Sequence, residues 1–100
     1  MREHSYGWEK LYAAVSTMAT ADTSLAERLE MALRELSLLR EENLPAGIWQ
    51  EVQALVNEGG RVPGKGGEGA FAATPRSMDE LQRHDMAEKI VSCFVRLSEQ

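Results

Sequence analysis

Apolar residues recur at three- and four-residue intervals in four separate stretches of the chain, with punctuation residues between them. That period fits α-helices with one inward face; a strand would alternate every second residue. In the first stretch Trp8, Leu11, Tyr12, Val15, Met18 and Ala19 share a face, and the small and polar run "ATADTS" closes it. Ser24-Leu25-Ala26-Glu27 then has the S-x-x-E form of a capping box and predicts a second helix from Leu25 to about Glu42. Pro45 suits the first turn of a third helix, on which Ile48, Trp49, Val52, Leu55 and Val56 form one stripe before Gly59 stops it. Ser77-Met78-Asp79-Glu80 reads as a second capping box opening the last helix. Its predicted buried face is Ala87, Ile90, Val91, Phe94 and Leu97, with Leu81 off that stripe and its turn packed elsewhere.

The fold expected from this pattern is all-α: one compact four-helix domain spanning residues 1–100, with mainly antiparallel neighbours. Between helices three and four lies a Gly-rich segment, read either as a mobile loop or as a short β-hairpin with residues 64–69 as its tip. Pro63 would confine such a hairpin to a sheet edge.

That segment, "GGRVPGKGGEG", holds six glycines in eleven residues and parts of two nucleotide-binding fingerprints. Gly59 to Lys65 reads G-x-x-x-x-G-K, and Gly64 to Gly69 reads G-x-G-x-x-G. A Walker loop must follow a strand, open a helix and supply a hydroxyl after its lysine. Here the preceding residues have helical period, Gly66 stands at the hydroxyl position, and the next cap is Ser77. A dinucleotide site needs a βαβ unit, and the residues that follow are helical in period. No cofactor is expected, and an enzyme using nucleotide is kept only as a third reading.

Other chemistry has little purchase. His4, His84 and Cys93 have no metal-ligand spacing, so no metal site is expected. Cys93 reads as a helix-packing residue, for no second histidine is placed to activate it. The carboxylates fall on polar helix faces without the apolar enclosure that raises a catalytic pKa. No catalytic residue is named, and the chain is read as a non-enzyme.

The net charge of −5 argues against direct nucleic-acid binding, which needs clustered lysine and arginine. No apolar run approaches the roughly 18–20 residues that span a bilayer, so no membrane association is expected. A lone cysteine forms no intramolecular disulfide, and with no secretory signal in "MREHSYGWEK" it points to a reducing cytoplasm.

The second helix has a main apolar face of Leu25, Leu29, Ala32, Leu33, Leu36 and Leu39, and a second apolar pair, Met31 and Leu38, on its other side. Two readings stand open: the other helices cover both sides, or the pair is a docking surface. Charged neighbours Glu27, Arg34, Glu35, Glu41 and Glu42 surround it, and Asp22 and Glu30 extend an acidic rim. The candidate partner-binding set is Asp22, Glu27, Glu30, Met31, Arg34 and Leu38.

Taken in order, "WEKLYAAV", "SLAERLEMA", "ENLP", "GGEGAFAAT" and "AEKIVSCFVRL" resemble a family of small helical proteins from bacteria and their mobile elements. That family includes phage-encoded anti-CRISPR proteins directed against type I surveillance complexes. The resemblance covers nearly the whole chain and lies in packing and capping positions. It implies a stoichiometric inhibitor that binds a host CRISPR effector complex near its DNA-recognition surface and blocks target DNA by steric and acidic competition. It fixes no contact residue. The alternative is a self-associating structural or regulatory module with Met31 and Leu38 buried in a homodimer.

Overall fold

The computed structural model describes residues 4–100. They form five helices: α1 (Ser5–Thr20), α2 (Leu25–Leu36), α3 (Ala46–Gly59), α4 (Ala70–Ser77) and α5 (Glu80–Ser98), with a 3-10 turn over Glu41–Asn43 between α2 and α3. No strand occurs among the described residues. The all-α class holds; the count of four helices and the hairpin do not.

α2 is the central element and packs against α1, α3, α4 and α5. Its predicted face is the heart of the core: Leu29, Ala32, Leu33 and Leu36 are buried, together with Leu11 of α1, Val52 of α3 and Ile90 of α5. Each large aliphatic side chain so enclosed contributes about 1.5–3 kcal/mol relative to exposure. Ser24 caps α2 as expected, its hydroxyl oxygen accepting from the Glu27 N–H at 3.2 Å. The reciprocal half differs: the Glu27 carboxylate accepts from the Ser24 hydroxyl and not from its backbone amide.

α2 stops at Leu36, well short of Glu42. The chain turns there and carries Leu39 and Leu44 into the core, at 6% and 3% exposure. Asn43 holds the turn, its side-chain oxygen accepting from the Arg40 N–H at 2.8 Å. Burial of two leucines from an irregular segment outweighs the helical propensity of "LSLLREE".

The hairpin expectation fails because "AFAATPRS" is a helix capped by Gly69. Its alanines favour a helix, and Ala73, Thr74 and Pro75 turn inward. Thr74 is fully buried, and its hydroxyl accepts from the Val62 N–H at 2.9 Å and donates to the Val62 carbonyl at 3.4 Å. α4 thereby holds the start of the glycine segment. The segment's apex is a turn, Gly66 and Gly67 having φ of 57° and 86°, where a side chain would be strained.

The last helix also starts differently. Ser77 ends α4, and Asp79 caps α5 by accepting from the Gln82 N–H at 2.8 Å while Gln82 accepts from the Asp79 N–H at 2.9 Å. Arg83 closes the corner by donating to the carbonyls of Pro75 and Met78. The buried face of α5 is Met86, Ile90, Cys93 and Leu97. Ala87, Val91 and Phe94, expected inside, line its edge, and Leu81 is 68% exposed, while Arg83 of the same turn packs on the α4–α5 corner.

Candidate protein-docking surface

α1 and α5 lie side by side and antiparallel. The Trp8 indole N–H donates to the Ser98 hydroxyl at one end, and Val15 and Ala19 share a groove with Ala87 and His84 at the other. Both helices carry apolar stripes wider than the width their neighbours bury. On α1, Leu11, Ala14 and Met18 point inward, which leaves Tyr12 51% exposed and Trp8 and Val15 half-buried. On α5 the inward row leaves Val91 40% and Val95 47% exposed.

These leftovers are contiguous. Trp8 and Tyr12 stack with ring centroids 5.2 Å apart, and Phe94 tilts against them at 5.5 and 6.0 Å. One turn further along lies a groove of about 550 Å³ with apolar walls from Val15, Met18, Ala19, Leu25, Ala87 and Val91. Its polar lining is Arg28, His84, Glu88 and Ser92. Arg28 is fixed by donating to the carbonyls of Met18 at 2.8 Å and Thr23 at 3.1 Å. His84 lies 3.2 Å from the Glu88 carboxylate, one helical turn away. A seam of aromatic and branched side chains running into a groove is the composition of a surface that excludes water against another protein.

The set predicted on α2 is dispersed. Asp22 is exposed in the α1–α2 connection, and Glu27 is exposed but engaged with Ser24. Glu30 accepts twice from Arg34, at 2.8 and 3.2 Å, so the charges of these two members of the predicted set neutralise one another. Met31 is half-buried, in keeping with the reading that neighbours cover both sides of α2. Leu38 is 54% exposed but lies past the end of the helix, out of the row that Met31 occupies. Glu35, another rim residue, meets Lys10 of α1 at 3.1 Å; that hydrogen bond and the attraction of the carboxylate raise the lysine pKa.

The α1/α5 seam was within reach of the sequence, since Tyr12, Val15, Val91 and Phe94 all stand in the predicted stripes. The missing signal was that no further helix among the described residues covers them.

The glycine segment is a connection between two helices. It follows helix α3, and the next helix opens at Ala70, earlier than the Ser77 start expected but five residues past Lys65. The Glu68 carboxylate lies against this turn, accepting from the Lys65 N–H at 3.4 Å and pairing with Arg76. Cys93 is 1% exposed and its Sγ lies 3.9 Å from the Glu51 carboxylate; burial pushes its pKa up. Among the described residues no three His, Cys, Asp or Glu side chains form a group that could hold a metal ion. No helix among them is long and apolar enough to cross a membrane. No family model matches the chain, and neither a curated protein nor a solved structure is significantly similar to it.

Proposed function

We propose that the protein is a non-catalytic protein-binding module whose docking surface is the α1/α5 face. The observation that carries this reading is the unbroken run from the Trp8–Tyr12–Phe94 cluster into the groove walled by Val15, Ala87 and Val91. Aromatic and branched residues in one run supply binding energy by desolvation, and tryptophan and tyrosine in particular are enriched where affinity resides. The α2 rim is the weaker surface, because Glu30 and Glu35 already have cationic partners.

The class of partner rests on the sequence resemblance alone: a type I CRISPR surveillance complex, bound stoichiometrically so that target DNA is blocked. The net charge of −5 suits a partner with a basic DNA-recognition surface. Capture of a purified surveillance complex, followed by a DNA-binding competition, tests this. Expected are stable capture and loss of DNA binding at saturation, with both weakened by Val91→Glu. Full DNA binding at saturating protein would remove the inhibitor reading, and capture unchanged by Val91→Glu would remove the α1/α5 face from the interface.

A further inference from the structure

We infer that residues 61–77, the glycine segment together with α4, form a strap that opens from α2 and α3 as one unit while the rest of the fold stays closed. The first support is how little apolar anchorage the strap has. Every other helix buries at least two large apolar side chains, such as Ile48 and Val52 on α3 or Ile90 and Leu97 on α5. The residues that α4 buries are Ala73, Thr74 and Pro75. Its one aromatic side chain, Phe71, is half-buried and lies beside Gly60. Anchorage grows with the apolar area removed from water, so α4 is the most weakly held of the five helices. Nor does it hold itself: eight residues are too few for a helix that is stable alone, and Pro75 inside it removes a backbone bond.

The second support is where the polar bonds of the strap run. Thr74 bonds to both backbone groups of Val62, and the Ser77 hydroxyl donates to the Thr74 carbonyl. Glu68 accepts from the Lys65 amide and pairs with Arg76. All of these begin and end inside the strap, so they join it into one body without fastening it to the core. The side-chain bonds that leave it sit near its ends. They are the exposed Arg61–Glu58 pair at 3.5 Å, of a kind that contributes little, and the Arg83 donation to the Pro75 carbonyl at 3.0 Å. Gly60, the C-cap of α3, and Met78, 6% exposed, stay with the core and mark the two hinges. Opening uncovers the side of α2 that carries Arg34, whose guanidinium lies beside Gly69. A segment with few buried apolar contacts opens at a lower free energy than the whole molecule unfolds.

Native-state hydrogen exchange on the full chain tests the inference, with Ile90→Val measured alongside. The amides of Val62 and α4 are expected to share one level of protection, about tenfold or more below the slowest amides of α2. Ile90 is buried in α5, outside the strap. Shortening it weakens the closed and the strap-open molecule alike, relative to the unfolded chain. Ile90→Val should therefore speed the slowest α2 amides about two- to tenfold and leave Val62 and α4 unchanged. Strap amides as well protected as those of α2, or accelerated with them in Ile90→Val, overturn the inference. So does unequal protection at Val62 and α4, because the two would then open separately.

Discussion

The main-chain carbonyl of Asn43 rests against the α-carbon of Gly7, so closely that a β-carbon there would lie 2.3 Å from the oxygen. The same β-carbon would meet Leu44 Cδ2 at 2.7 Å. This contact seats the turn between α2 and α3 on the first turns of α1. Gly7→Ala is expected to destabilise the fold by about 1–3 kcal/mol through overpacking. Alanine's better helix propensity returns up to about 1 kcal/mol, which is too little to offset a clash with backbone. Urea denaturation measures the difference; a variant as stable as the wild type would show that the turn is free to move off α1.

Asp79 and Ser77 separate two ways of starting α5. Asp79 accepts from the Gln82 N–H, whereas the Ser77 hydroxyl donates to the Thr74 carbonyl and caps nothing. Asp79→Ala should therefore cost about 1 kcal/mol of stability, the usual worth of an N-cap. Ser77→Ala should cost less than half as much. Equal losses in thermal unfolding would contradict this assignment.

Thr74 carries the connection between α4 and the glycine segment. Thr74→Val keeps the shape but leaves the Val62 N–H without its acceptor, at an expected cost of about 1–3 kcal/mol. Thr74→Ser keeps the hydroxyl and loses only a methyl group, so it should retain amide protection at Val62. Hydrogen exchange at that amide reads the difference directly; equally fast exchange in both variants would mean that packing, and not the hydroxyl, holds the segment.

Burial raises the pKa of Cys93, and the sign of its pH effect follows. The folded thiol stays neutral where the unfolded chain has already ionised. Its contribution is complete below the ordinary thiol value and is lost as pH rises from there toward the raised folded value. Between about pH 8 and pH 10 the wild type should lose on the order of 1 kcal/mol that Cys93→Ala does not lose. Staying below about pH 10 avoids the Lys10–Glu35 pair, whose raised lysine titrates higher. Parallel slopes in the two proteins would show that the thiol is not shielded.

The helical class, the face of α2 that forms the core, the stripe of α3 and the cap at Ser24 are all legible along the chain. These are local properties: a 3.6-residue period and a side chain three positions from the amide it satisfies. The helical period of the residues before Gly59 was also legible, and α3 runs there. The end of α2 at Leu36 was not legible, because the pull of Leu39 and Leu44 into the core exists only once α1 and α3 are in place. The helix at Ala70–Ser77 was hidden by the glycines beside it, and it is anchored by Thr74 bonding across twelve residues to Val62. The site depended on the same kind of information. Both stripes of the seam could be read along the chain, but periodicity gives the direction of an apolar face and not its coverage. Tyr12 and Val91 are surface residues because α2 occupies the inner side of both helices and no element of the described chain lies over the outer side. Only the arrangement of the five helices decides that.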